Sequence, residues 1–195
     1  MTLCADGTFA LPTTHTHTPS ALQTPHAPPK TYSQTTFDSN AATGGGGGAV
    51  AVATATWGSV SLNMSFITFS GNQAAGGGSA VSANAAAGIS NSAFNCPGAP
   101  ATPCVTGSGP ITLRRCMLPG GWAGAGAGNA DVTNLLLASL ANNGGPARSR
   151  RPLPGRPVLD AADASLLTAD DTTDQRGFPR VACGAPDIGA VEGGA

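Results

Sequence analysis

Charge is scarce in this chain, and lysine is scarcer still. Of the 195 residues 10% are charged, the net charge is −1, and Lys30 is the one lysine among nine basic residues. Nucleic acids and anionic membranes both select a concentrated basic surface, so we expect neither as a partner. Four arginines do cluster, but the prolines between them favour a solvated turn over an anion site; they are Arg148, Arg150, Arg151 and Arg156.

Long apolar runs and metal-ligand spacings are also missing. No run approaches the roughly 20 residues of a membrane-spanning helix, so none is predicted. No two of the five cysteines have the two-residue spacing of a zinc site, and no histidine follows His26. Cys96 and Cys104 bracket a proline-rich segment, for which a disulfide-closed loop and two free thiols are nearly equal alternatives. The odd count leaves at least one thiol unpaired or bonded between chains; the cysteines are Cys4, Cys96, Cys104, Cys116 and Cys183.

The N-terminal third of the sequence changes texture near residue 34. Residues 1–33 are rich in Thr, Pro and His, which predicts a disordered lead-in. His15, His17 and His26 leave a coordination sphere incomplete, so they are interpreted as polar filler and not as a metal site. No basic start or apolar core of a secretion signal is visible, and we expect a fragment of a longer protein.

An internal repeat begins after this lead-in. Phe37 and Asn40 precede a glycine run at 44–48, and 32 residues later Phe69 and Asn72 precede a shorter run at 76–78. A degenerate third copy at 92–95 follows 25 residues after Phe69. Such spacings are typical of stacked structural repeats, and the two asparagines are expected to form a ladder at equivalent corners.

The segment between the first two copies has the pattern of a strand. Apolar and polar residues alternate from Val60 to Phe66, and the apolar register then shifts by one at Ile67, which predicts a corner or bulge there. Short strands and glycine-rich corners at this spacing predict an all-β fold, a short parallel β-helix or solenoid. We expect the rungs at 34–134, an irregular cap at 135–192 and a tail at 193–195. A single helix is predicted around 134–141.

Two stretches of sequence resemble known families. The phrases Phe37-Asp38-Ser39-Asn40 and Phe69-Ser70-Gly71-Asn72, each before its glycines, resemble the repeats of polymorphic outer membrane proteins. The stronger likeness is in the tail, from Leu140-Ala141-Asn142-Asn143-Gly144-Gly145-Pro146 through Thr173-Asp174-Gln175-Arg176-Gly177-Phe178-Pro179-Arg180 to Gly184-Ala185-Pro186-Asp187-Ile188-Gly189-Ala190-Val191-Glu192. That series resembles the choice-of-anchor Q domain, the C-terminal module of large bacterial β-helix proteins.

The resemblance implies a right-handed, pectin-lyase-like β-helix in an exported bacterial protein. It favours a non-catalytic module, extracellular or associated with the outer membrane, at the C-terminal end of an adhesin-like or surface-display protein. Extracellular glycans or surface proteins of host or neighbouring cells are the partners considered. The alternative is the C-terminal part of a polysaccharide lyase or glycosidase whose site lies upstream. After Glu192 no anchor is visible, and we expect release or anchoring elsewhere.

Chemistry is hard to place on the predicted rungs. Between 34 and 134 the charged residues are Asp38, Arg114, Arg115 and Asp131, too few for the carboxylate pair of a glycosidase or the calcium ligands of a lyase. The glycine runs lack the Lys-Ser/Thr of a phosphate loop. No catalytic residue, cofactor or metal is therefore predicted.

The charged residues of the tail are interpreted as structural. A calcium loop at Asp170, Asp171 and Asp174 is a minority hypothesis, because the EF-hand spacing is absent. Trp57 and Trp122 are expected to pack, not to form a sugar platform. The favoured role is a polar cover over the exposed apolar end of the stack. Its residues are Asp160, Asp174, Arg176, Gly177, Arg180, Asp187, Gly189 and Glu192, and the repeat corners are Phe37, Asn40, Phe69 and Asn72.

Overall fold

The computed structural model describes residues 2–3, 9–10, 29–54, 60–99, 101–155, 157–182 and 184–193. Within them the fold is all-β with parallel sheets that curl, and the one helical element is the 3-10 turn Ala164–Leu166. No described helix is long and apolar enough to span a bilayer. The strands are β1 Thr2–Leu3, β2 Phe9–Ala10, β3 Lys30–Asp38, β4 Ala41–Ala42, β5 Val50–Val52, β6 Ser61–Ser70, β7 Gln73–Ala74, β8 Val81–Ala83, β9 Ala86–Ser90, β10 Ala93–Asn95, β11 Val105–Thr106, β12 Ile111–Arg114, β13 Met117–Leu118 and β14 Ala130–Asp131.

The strands recur along the chain in five repeats, defined by their pairing. Repeat 1 spans 30–52, repeat 2 spans 61–83, repeat 3 spans 86–106, repeat 4 spans 111–118 and repeat 5 spans 125–131. Each repeat pairs in parallel with the next, so β3 lies beside β6, β6 beside β9 and β9 beside β12. The C-terminal part of β6, from Thr68 to Ser70, pairs with β10. In turn β10 pairs with β13, and β13 pairs with β14. A second sheet stacks β5, β8 and β11, and a third joins β4 to β7.

The N-terminal boundary differs from the prediction. Strand β3 begins at Lys30, four residues before the expected start of the rungs, because Lys30 to Ser33 pair with Leu62 to Ser65. Strand β1 pairs in parallel with β5, and β2 pairs with β1. The predicted lead-in therefore contains strand at these places, and its three histidines lie outside the described residues.

The corner predicted at the Phe66–Ile67 register shift is confirmed. Phe66 has a positive φ of 53°, which turns β6 sharply so that Phe66 points away from the main core while Ile67 points into it. Residues with the same conformation occupy the equivalent place in the other repeats, between the same pairs of registered neighbours. This corner column consists of Gln34, Phe66, Asn91 and Arg115.

Two hydrophobic clusters lie on opposite sides of the corner column. The larger cluster fills the interior between the sheets and includes Leu62, Ile67 and Phe69. The smaller one lies outside, where Phe66 packs among side chains of the C-terminal segment such as Val158 and Ile188. The C-terminal segment therefore covers the side of the stack along the corner column.

The helix predicted around 134–141 is wrong. Leu136 has a positive φ of 51°, and its backbone N–H is bonded to the side chain of Asn134 instead of to a helical carbonyl. The segment makes isolated antiparallel bridges, Leu137 to Pro152 and Ala141 to Ser149. The cluster of leucines suggested a helix, but the turn at Asn134 to Leu136 and the bridges to residues 149–152 give the segment an extended conformation instead.

The glycine runs have a steric cause. A Cβ on Gly78 would clash with the carbonyl oxygen of Val81, three residues along the same turn, and would come within 3.0 Å of backbone atoms of Cys104 and Thr106 in the next repeat. At Gly44 a Cβ would meet nothing within 4 Å. Only part of each run therefore requires glycine for packing.

Candidate functional site

The predicted repeat corners contact each other in register. The ring of Phe37 stacks on Phe69 with centroids 5.4 Å apart, and Phe69 stacks on Phe94 at 4.7 Å. Beside them the Nδ2 group of Asn40 donates to Oδ1 of Asn72 at 2.9 Å, and Nδ2 of Asn72 donates to the carbonyl of Phe37. These contacts join successive repeats of the stack to each other.

Five of the predicted cap residues form one buried ionic network. Arg176 pairs with Asp174 at 2.7 Å, and Arg180 pairs with Glu192 at 2.7 Å. The two pairs are joined because the backbone N–H of Glu192 donates to Asp174 and a guanidinium N–H of Arg176 donates to the Glu192 carbonyl. Asp187 donates its own N–H to Glu192 and accepts from the backbone of Gly193. All five side chains belong to residues less than 9% exposed.

The other three predicted cap residues contribute through the backbone. Asp160 is exposed, has a positive φ of 51° and donates its N–H to Asp187. Gly177 closes a turn onto the carbonyl of Asp174, and Gly189 donates to the carbonyl of Asn91. Both glycines have positive φ, 91° and 103°, which favours their residue type.

Burial and hydrogen bonding act in opposite directions on these carboxylates. Burial raises the pKa of Asp187 and of Glu192 above the ordinary value, although backbone N–H groups and the Arg180 side chain oppose it. Burial also acts to raise the pKa of Asp174, but the Arg176 side chain and two backbone N–H groups outweigh it, and this pKa is lowered. The network therefore holds groups whose proton affinities are displaced in both directions.

The network is tied to the corner column by residues that the sequence analysis missed. Arg180 donates to Gln34 at 2.9 Å and lies 4.6 Å over the Phe66 ring, and Gln34 donates to Asp171. Asn91 exchanges hydrogen bonds with the backbone of Asp163. The sequence held one signal for these contacts, the predicted corner at Phe66 and Ile67. A side chain at that corner points away from the main core, so another segment must cover it.

A groove lies on the part of the sheet that precedes the corner column in each repeat. It has a volume of about 460 Å³, and its floor comes from β3, β6, β9 and β12, with Leu166 and Thr168 as one wall. Its described lining is Thr31, Asn63, Met64, Ser65, Gly88, Ile89, Ser90, Thr112, Arg114, Leu166 and Thr168. A neighbouring recess shares Arg114 and Leu166 and adds Arg115, Asp163 and the backbone at 126–128.

The remaining candidates have structural surroundings. The carboxylate oxygens of Asp171 and Asp174 accept hydrogen bonds from other groups of the protein. Among the described residues, no group of three His, Cys, Asp or Glu is placed to hold a metal ion. Trp122 donates to the Ala125 carbonyl and packs on the core, whereas Trp57 lies outside the described residues. In the arginine cluster, Arg150 pairs with Asp38, and Arg156 is outside the described residues.

The cysteine alternatives resolve in favour of the closed loop. Cys96 and Cys104 form a disulfide with Cα atoms 5.7 Å apart. Cys116 is a free thiol inside the stack, and burial raises its pKa to about 12. Cys4 and Cys183 lie outside the described residues.

Comparisons with protein-family models, curated proteins and solved structures find no match for this chain.

Proposed function

We propose that the chain is a non-catalytic β-helix module of an exported or cell-surface protein, used for adhesion or display. The observation that carries the proposal is the pairing of each repeat with the next in parallel, at offsets of 32 residues for Phe37 to Phe69 and 25 for Phe69 to Phe94. Parallel strands usually require a crossover of a dozen or more residues, most often a helix. Here strands connect through corners with no α-helix in the described parts, which supports a backbone coiled into a β-helix, right-handed by its family resemblance.

The disulfide supports a location outside the cytoplasm. Disulfides persist in oxidising compartments and are rare where thiols are kept reduced. The likeness of the tail to choice-of-anchor Q domains supports the same location, and it supports a role as the closing module of a larger protein.

The charges along the groove support binding over catalysis. Arg114 is the one charged side chain in its described lining, whereas glycoside hydrolysis uses two opposed carboxyl groups. If the chain instead ends a polysaccharide lyase or glycosidase, the catalytic residues belong to upstream repeats.

Location and activity are tested separately. In the cells that make the protein, protease added outside should remove it, and alkylation without reductant should leave Cys96 and Cys104 unmodified. Recovery from the cytoplasm with both thiols alkylated would contradict the proposed location.

The absence of catalysis is tested on the purified chain, which should release neither reducing ends nor unsaturated products from polysaccharides. Release of such products that survives repurification would make it an enzyme.

A further inference from the structure

The floor of the groove is a regular array of outward side chains. Two columns cross the strands in register, one through Thr31, Asn63, Gly88 and Thr112 and the other through Ser65, Ser90 and Arg114. Neighbouring strands lie about 4.8 Å apart, so four strands give a floor about 14 Å long. A Cβ on Gly88 would come within 3.0 Å of the Asn63 amide oxygen, and glycine therefore leaves room for that amide.

The polar side chains on this floor have no partners among the residues that the structure describes. No side-chain hydrogen bond to another described residue is made by Thr31, Asn63, Ser65, Ser90, Thr112 or Arg114. Across the corner the situation is reversed, because Thr36, Thr68 and Asn91 are all bonded to the C-terminal segment. The polar side chains at and after the corner column are thus hydrogen-bonded to the C-terminal segment. Those before it present hydroxyl, amide and guanidinium groups to a ligand in the groove.

The arrangement selects one class of occupant. An extended peptide binds a sheet by pairing with a free strand edge. The groove instead lies over the face of the sheet, where β6 and β9 are paired on both sides and β12 is paired with β9 and bonded to Ala125, so a ligand there meets side chains. Nucleic acid demands several cations, and the described lining holds one. Hydroxyl and amide groups at a regular spacing suit the hydroxyls of a sugar chain, and the Leu166 side chain in the wall suits the apolar face of a sugar ring.

Charge adds a requirement at one end of the groove. Arg114 lines both the groove and the adjoining recess. Asp163, the one carboxylate in the described lining of that recess, accepts hydrogen bonds from the N–H and the hydroxyl of Ser165 and interacts with Arg115. Arg114 is thus left for an anionic group on the ligand.

We propose that this groove binds an acidic oligosaccharide, with its hydroxyls on the Thr, Ser and Asn floor and a carboxylate or sulfate on Arg114. The inference rests on the proposed function, since it names the ligand class of the same non-catalytic module. The anionic group and Arg114 form a charge-assisted hydrogen bond, which is about twice as strong as a neutral one.

The test is calorimetric titration of the purified chain with three tetrasaccharides: tetramannuronate, its uncharged counterpart mannotetraose, and a sulfated tetrasaccharide without uronate. We expect an acidic tetrasaccharide to bind, and Arg114→Ala to weaken that binding at least about tenfold. Ser90→Ala should weaken it by a smaller factor. Arg151→Ala, which removes an exposed arginine outside the groove, should leave it within about twofold. The two acidic probes separate a carboxylate from a sulfate as the recognised group.

Each other outcome has a defined meaning. If mannotetraose binds as tightly as the acidic probes, or if Arg114→Ala binds unchanged, the inference is overturned. If none of the three probes binds a chain whose circular dichroism is β-rich, the inference is overturned and the proposed function stands. Cleavage of a probe would overturn the non-catalytic function, while Arg114-dependent binding would still support the groove.

Discussion

Replacing Arg180 with methionine isolates the contribution of the buried ionic network. Arg180 is 1% exposed and donates to Glu192 at 2.7 Å, to Gln34 at 2.9 Å and to the Gly189 carbonyl at 3.0 Å. Methionine keeps much of the apolar stem over the Phe66 ring, so the change removes charge and hydrogen bonds more than volume. What remains is a buried Glu192 carboxylate without its counter-ion.

The expected loss is about 3–5 kcal/mol of unfolding free energy, the usual effect of removing one partner of a buried ion pair. Small proteins have about 5–15 kcal/mol in total, so the variant should unfold at a much lower denaturant concentration. Guanidinium unfolding followed by far-ultraviolet circular dichroism measures the change. As a matched control, Arg151→Met alters an exposed arginine and should stay within about 0.5 kcal/mol.

The double variant Arg180→Met with Glu192→Gln separates the pair from its surroundings. If the single loss comes from an unpaired buried charge, removing the second charge should recover part of it, and the two effects will not add. A single loss below about 1 kcal/mol, or strict additivity in the double variant, would refute this account of the network.

Three further predictions concern the glycine run, the disulfide and pH. Gly78→Ala should lose about 1–3 kcal/mol by overpacking, while Gly44→Ala, with open space at its Cβ, should be nearly neutral in the same unfolding assay. Reducing the disulfide, whose cysteines are eight positions apart, should lower the unfolding free energy by about 2–3 kcal/mol, measured with and without reductant. Because its pKa is raised, Asp187 binds a proton more tightly in the folded chain than in the unfolded chain. Its contribution to the unfolding free energy therefore falls as the pH rises from the ordinary pKa of 3.8 to the raised pKa of the folded state. Asp187→Asn should flatten that decline in unfolding measured from pH 4 to 7, and an unchanged slope would contradict the assignment.

The repeat architecture was predictable because its signal is periodic. Two copies of one phrase at a fixed offset place Phe37 beside Phe69, and the structure confirms an all-β fold with parallel sheets in that register. The corner was also predictable, since a one-residue shift of the apolar pattern at Ile67 exchanges the two faces of a strand. Both features follow from residues near each other in sequence or at a constant spacing.

The position of the C-terminal segment was not predictable in this way. Gln34 bonds to Asp171 across 137 residues, and Thr36 bonds to Gln175 across 139, with no periodicity to connect them. The charges of the segment identified it as ionic, but an Asp and an Arg pair equally well over an end or along a side. Its apolar members, such as Val158 and Ile188, pack against Phe66, and they decide in favour of the side.

Docking along the side changes how the stack should unfold. In a repeat array each unit touches its neighbours alone, so terminal units open before central ones. Here one segment bonds to Gln34 in repeat 1, contacts Phe66 in repeat 2, bonds to Asn91 in repeat 3 and interacts with Arg115 in repeat 4. Repeat 1 therefore cannot open without breaking contacts made by a segment that also holds its successors. We therefore expect the C-terminal segment to make the repeats unfold as one cooperative unit, because its contacts connect repeats that do not touch each other.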